Sequence, residues 1–268
     1  MNRIDAQFAR LKDLGQAAFI PFLTAGDPDL DGTCRVLHGA EQAGASLIEL
    51  GFPFSDPVAD GPTIQASYTR VLERGQRAAQ VFDLVAAARQ ECALPIVAMI
   101  SYSIVFRMGF EAFLDRALAC GIDGATVPDL PVDEAELLYG LAQARDFRLV
   151  CFATPATTPE RRRMVADHAR GFIYYISVRG ITGARSELPP DLVDHIAELK
   201  ESTSVPVAVG FGISEPDQAR AVARVADGVI VGSAIVKRMA AAAERGEDAA
   251  EAALGYIRTM SAATRDAR

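Results

Sequence analysis

Short apolar runs alternate with longer amphipathic segments along the whole chain. The runs occupy residues 17–24, 46–50, 96–100, 124–127, 149–152, 172–176, 205–209 and 228–231. Each is brief and almost uninterrupted in apolar residues, the pattern of a parallel strand covered on both faces. Between them, residues 31–43, 111–120, 133–144, 159–169, 192–200 and 216–225 carry apolar side chains every three or four positions. That period predicts helices burying one face. Thr158-Pro159-Glu160 and Ser214-Glu215-Pro216 add helix-start chemistry, with proline at the first turn. Ile4, Phe8, Leu11 and Leu14 predict a further short helix at the N-terminus. Two helical stretches, 64–74 and 81–91, separate the second strand from the third.

About eight strand–helix units, evenly spread and undivided by any Pro/Ser-rich linker, predict one α/β domain spanning 1–268. The expected architecture is a single (β/α)8 TIM barrel with an extra N-terminal helix and long loops after strands two and six. An open doubly wound sheet shares the alternation. Its first strand would lead into G-x-G-x-x-G, however, and Thr24-Ala25-Gly26-Asp27-Pro28 stands here instead.

Composition narrows the partners. Half of the residues are apolar, which excludes a disordered chain, and the formal net charge of −8 argues against a general nucleic-acid footprint. A small anion can still be held by backbone N–H groups and helix ends. No apolar run approaches the ~20 residues of a membrane span, and the opening Met1-Asn2-Arg3-Ile4-Asp5 is too polar for a signal peptide, so a cytoplasmic location is expected. Cys34, Cys92, Cys120 and Cys151 form no C-x-x-C pair and read as buried, reduced thiols. His38, His168 and His195 are scattered, and no metal site is expected.

In a barrel of this kind the chemistry sits where strands end. Strand two reads Ser46-Leu47-Ile48-Glu49-Leu50, and alternation puts Glu49 on the same face as Leu47. Glu49 is then either a salt-bridged strand-end residue or a carboxyl in the barrel mouth whose apolar neighbours raise its pKa and suit it to proton transfer. The following loop, Gly51 to Pro62, holds three prolines and two glycines and forms neither helix nor strand. Phe52 and Phe54 imply that one side of it packs on protein or ligand. Asp56 and Asp60 are turn formers or, since this loop follows Glu49, sources of a second carboxylate facing the first. Glycine-containing segments end the last three strands: Gly180-Ile181-Thr182-Gly183, Gly210-Phe211-Gly212-Ile213-Ser214 and Gly232-Ser233. They match the usual phosphate position of such barrels. The long segment 177–190 has the character of a lid.

Residues Glu49 to Gln65, E-L-G-F-P-F-S-D-P-V-A-D-G-P-T-I-Q, resemble the E-L-G-x-P-x-S-D-P-x-A-D-G-P-x-I-Q signature of the tryptophan synthase α subunit family. Pro21-Phe22-Leu23-Thr24-Ala25-Gly26-Asp27-Pro28 and Gly232-Ser233-Ala234-Ile235-Val236 extend the likeness over nearly the whole chain. The resemblance implies a retro-aldol cleavage of indole-3-glycerol phosphate to indole and glyceraldehyde 3-phosphate in tryptophan biosynthesis, without a cofactor. It implies Glu49 as the acid–base group and Asp60 as the partner of the indole N–H. It assigns phosphate contacts to Gly183, Phe211, Gly212, Gly232 and Ser233, and a hydrogen bond from Thr182 to the catalytic aspartate. Phe22, Ile64, Phe152 and Phe211 would form the indole slot, with Tyr174 on the substrate side. It further implies a pyridoxal-phosphate-dependent β subunit in an α2β2 assembly, docked on Phe54, Asp56 and Pro57. Two positions depart from the pattern. Ile100-Ser101-Tyr102-Ser103 stands where Met-Tyr-x-Asn is common, and Thr126 where Leu or Ile is usual. Two other readings stay open: another phosphate-binding barrel enzyme of amino-acid biosynthesis, and an allosteric partner subunit with little activity of its own.

Overall fold

Eight parallel strands close on themselves in sequence order, β1 pairing with both β2 and β8. They are β1 (Ala18–Thr24), β2 (Ile48–Gly51), β3 (Ile96–Met99), β4 (Gly124–Thr126), β5 (Arg148–Ala153), β6 (Ile173–Ile176), β7 (Val207–Gly210) and β8 (Gly228–Val231). The computed structural model describes residues 1–176, 191–210 and 212–267. The expected barrel is therefore the observed fold, and the doubly wound alternative falls.

Alternation along the strands separates two apolar layers. Ala18, Ile20, Leu47, Val97, Val150, Tyr174, Ala208 and Ile230 fill the barrel interior. Ile48, Leu50, Ile96, Ala98, Leu149, Cys151, Val207, Val209 and Val229 point outward against the helices. The N-terminal helix α1 (Arg3–Asp13) brings Ile4, Phe8 and Leu11 to the interior cluster, where the Phe8 ring lies 5.6 Å from Phe172. Asn2 fixes it there. Its side chain caps the helix by accepting from Ile4 N at 2.9 Å and donates to the carbonyls of Asp123 and Asp146.

The outer helices are α2 (Leu30–Gly39), α3 (Pro62–Glu73), α4 (Ala78–Ala88), α5 (Tyr102–Met108), α6 (Phe110–Cys120), α7 (Glu136–Ala144), α8 (Pro159–His168), α9 (Leu192–Glu201), α10 (Pro216–Ala223), α11 (Ser233–Glu244) and α12 (Ala249–Arg265). The proline signals hold: Thr158 caps α8 by accepting from Arg161 N, and Glu215 forms a capping box with Gln218 on α10. Helix α5 is not predicted by periodicity. It buries only Val105, leaving no stripe to read, and the Ser101 cap starts it. Residues 133–144 divide into a 3-10 turn, Val132–Glu134, and α7. Cys92, Cys120 and Cys151 are buried free thiols as expected, and Cys34 is half-buried.

Two carboxylates brace the frame. Asp123 accepts from Arg3, Arg89 and Ile96 N at 2.8, 2.6 and 2.9 Å. Asp27, just beyond β1, accepts from Ser67 and Arg70 of α3, each at 2.5 Å. The second brace sets α3 against the top of the barrel, so Ile64 and Tyr68 meet Phe22 there. Among the described residues no helix is long and apolar enough to cross a membrane.

Candidate active site

The C-terminal ends of the strands enclose a cavity of about 310 Å³. Phe22, Ile64, Met99 and Ile230 supply apolar wall, and Glu49, Asp60 and Tyr174 supply polar groups. Gly212, Ser214, Gly232 and Ser233 line the end formed by the segments after β7 and β8.

Glu49 is fixed by its strand. It stands in register with Phe22 on β1 and Val97 on β3 and is 1% exposed. As alternation predicts, it points inward with Leu47. Thr126 of β4 donates to Glu49 Oε1 at 2.9 Å, while Oε2 has no hydrogen-bond partner among the described residues. Burial without a cation raises the carboxyl to about 8, and the charge of Asp60 adds to the rise against the lowering effect of the Thr126 bond. The salt-bridged reading of Glu49 is not what the structure holds: no basic residue pairs with it among the described residues.

Asp60 comes from the Pro-rich loop, whose closing turn is pinned by Gln65 of α3, donating to the Asp60 carbonyl at 2.8 Å. Asp60 N donates to Pro57 O at 3.0 Å, so the residue is a turn former as well as a wall of the cavity. Partial burial raises its carboxyl to about 7, with Asp129 contributing repulsion. Burial pushes the hydroxyls of Tyr68 and Tyr174 well above the ordinary tyrosine range, and the charges of Glu49 and Asp60 add to the rise. Two carboxyls therefore share one apolar pocket, each holding its proton near neutrality far better than in water.

Glycine permits this geometry at two points. A Cβ on Gly51 would meet the Phe22 ring at 2.5 Å and the Tyr68 hydroxyl at 2.7 Å. Gly212 has φ +79°, a backbone that L side chains rarely adopt, beside open space. At the same end, α11 begins directly after Gly232, so its positive helix terminus borders the cavity.

Of the residues read from sequence, Glu49, Asp60, Phe22, Ile64, Tyr174, Gly212, Gly232 and Ser233 converge on this one cavity. Thr182, Gly183 and Phe211 lie outside the described residues. Phe54, Asp56 and Pro57 line a separate small cleft with Ser101 and Asp129, next to the mouth. The Phe152 ring lies 5.1 Å from that of Tyr174, on the interior face of β5 with Val150, and also borders an adjoining cavity beside β5 and α8. Sequence reasoning missed Met99, Lys237 and Arg238, while Ser214 belongs to the glycine segment it singled out. The signal for the two cations was their place one turn into the helix that follows Gly232-Ser233. Arg238 lies over the Tyr256 ring at 3.9 Å, and Tyr256 donates to Ser214 O at 2.6 Å, tying α11 and α12 to the β7 loop.

Fold and pocket together define a (β/α)8 barrel with two buried carboxyls in one cavity at the C-terminal ends of its strands, where enzymes of this fold carry their chemistry. A profile of the family described as tryptophan synthase alpha chain matches residues 8–265. The tryptophan synthase alpha chain of Rhodopirellula baltica is 46% identical over 248 residues, 91% of this chain and 89% of that one. That of Prochlorococcus marinus is 48% identical over 241 residues, 90% and 88% of the two chains. Among solved structures, tryptophan synthase subunit alpha from Legionella pneumophila superposes with a TM-score of 0.92 at 32% identity, covering 98% of both chains. A chain of the tryptophan synthase α2β2 complex of Pyrococcus furiosus, described in terms of mutual activation, gives 0.84 at 39% identity, covering 91% of this chain and 98% of that one. The chain belongs to the tryptophan synthase alpha chain family.

Proposed function

We propose that Glu49 and Asp60 carry the reaction of this family in this chain: cleavage of indole-3-glycerol phosphate to indole and glyceraldehyde 3-phosphate. The observation that carries the assignment is a fully buried glutamate, with one oxygen unpartnered among the described residues, sharing a cavity with a second carboxyl. Glu49 starts protonated, in keeping with a pKa near 8, and gives its proton to indole C3. The resulting positive charge on the ring nitrogen is met by ionised Asp60, which accepts the N–H. Glu49, now a carboxylate, takes the proton of the glycerol hydroxyl next to the ring. As that oxygen becomes the aldehyde, the carbon–carbon bond breaks and its electron pair returns to the ring. Glu49 ends protonated, so the cycle consumes no proton and needs no cofactor.

The apolar wall of Phe22, Ile64 and Met99 suits the indole, and the helix end at Gly232-Ser233 with Gly212 suits the phosphate. Lys237 and Arg238 add side-chain charge at that end, which composition alone did not reveal. The decisive experiment is release of indole from indole-3-glycerol phosphate by the purified chain; no release in the presence or absence of a β subunit overturns the reading. Gly212→Val should raise KM about tenfold or more with a smaller change in kcat, because a side chain enters open space at the phosphate end and strains a positive-φ backbone. Steady-state kinetics check this, and an unchanged KM removes Gly212 from phosphate binding.

The partner follows from the same face. Phe54, Asp56, Pro57 and the 77%-exposed Val58 line the small cleft beside the cavity mouth, and the Pyrococcus relative assembles as α2β2. A β subunit that binds this face more tightly in the reactive arrangement of the site would raise its rate. Adding it should speed indole release about 5–150-fold, the range of ordinary allosteric couplings. Equal rates with and without a β subunit would leave the docking reading without support.

A further inference from the structure

Thr126 is the one hydroxyl donor on Glu49 among the described residues. It is 0% exposed, lies on β4, and reaches across β3 to β2, where its Oγ1 donates to Glu49 Oε1 at 2.9 Å. A threonine in a packed strand has little χ1 freedom, so the donor is held in place rather than sampled. The two oxygens of a carboxyl are equivalent in water, and this contact makes them different. An acid carries its proton on one oxygen and accepts on the other. With a donor seated on Oε1, the proton of the acid form belongs on Oε2.

We propose that Thr126 is a positioning residue that selects Oε2 of Glu49 as the oxygen exchanging protons with the substrate. The same bond persists when Glu49 is ionised, so the carboxyl keeps one orientation through both proton transfers. A single fixed oxygen then serves C3 and the neighbouring hydroxyl in turn. The proposal rests on Glu49 being the acid–base group.

Other groups face this carboxyl and set the background of any pH measurement. Asp60 approaches from the β2 loop, Tyr68 from α3 and Tyr174 from β6. Both tyrosines stay protonated through the working range, so among the described groups facing this carboxyl only Glu49 and Asp60 titrate there. Thr126 favours the ionised form of Glu49, hence its removal displaces the alkaline limb of the profile upward, opposite to any loss of the Asp60 charge.

The test is the pH profile of kcat for Thr126→Val, an isosteric change that deletes the donor. We expect kcat to fall about tenfold from lost orientation, KM to hold, and the alkaline limb to move up by about one pH unit. Thr126→Ser should restore both rate and limb. If Thr126→Val does not fold, Thr126→Ala removes the same donor with less bulk, and the same shift is required of it. An alkaline limb coincident with the wild type in the donorless variant overturns the proposal, whatever the rate. Glu49→Gln run in parallel separates the two claims. An active Glu49→Gln protein overturns the acid–base reading itself, whereas an inactive one beside an unshifted Thr126→Val profile overturns only the role of Thr126.

Discussion

Replacing Glu49 with glutamine is expected to slow indole release by about 10²–10⁴-fold, the usual worth of a positioned acid–base group. The amide keeps the shape and can still accept from Thr126, so the barrel and the binding of substrate should survive. A near-normal rate in single-turnover assays would remove Glu49 from the mechanism. The same variant should be more stable than the wild type in a defined pH window. Burial lifts Glu49 from 4.5 to about 8, so between those values the native state holds a proton that the unfolded chain has released. Native stability therefore declines as pH rises through that window and levels off above it. Glutamine has no such dependence. The Tm difference in favour of Glu49→Gln should be absent near pH 4 and largest at pH 8 and above, which thermal unfolding at the two pH values checks. A gain in Tm with a loss of rate is the mark of a residue kept for chemistry at the expense of the fold.

The barrel was legible because its strands are buried on both faces and so read as apolar runs. Boundaries moved by a residue or two where side chains pair outside the ladder. Ser46 is an example: read as the start of strand two, it instead meets Phe19 through its backbone N–H and its hydroxyl ahead of β2. Glu49 was legible as the one charge inside such a run. Asp60 was harder, since aspartate beside proline and glycine is ordinary turn chemistry, and in the structure it does both jobs. What the sequence could not carry was contact between distant strands. Thr126 stood out only as a departure from the family pattern, and its bond to Glu49 spans 77 residues of chain. The Ser101 departure has a visible local role as well: its hydroxyl caps α5 and donates to Asp129 at 2.7 Å, beside the cleft at the mouth. Phe152 follows the plain alternation of its strand: two residues after Val150, it packs on the interior cluster beside Tyr174.

Asp60→Asn should cost about 10²–10³-fold in kcat/KM, the range for losing one preorganised partner of a developing charge. Asparagine can still accept the indole N–H through its carbonyl, so geometry is kept and only the negative charge is lost. The effect then isolates electrostatics from positioning. The pH profile makes the assignment specific. Burial and the charge of Asp129 raise Asp60 to about 7, so the free enzyme should lose kcat/KM as pH falls through that value, when the group needed as an anion takes up a proton. Asp60→Asn should lack this acid limb altogether. Its alkaline limb should also move, in a direction fixed by the pair. Asp60 raises Glu49 by like-charge repulsion, so its neutralisation lets Glu49 ionise more readily and draws the alkaline limb to lower pH. Asp129→Asn supplies the complementary case, leaving the Asp60 anion in place while relieving the repulsion on it, and should shift only the acid limb downward. An Asp60→Asn profile that keeps the wild-type acid limb would mean that another group titrates there and that Asp60 does not serve as the anion of the site.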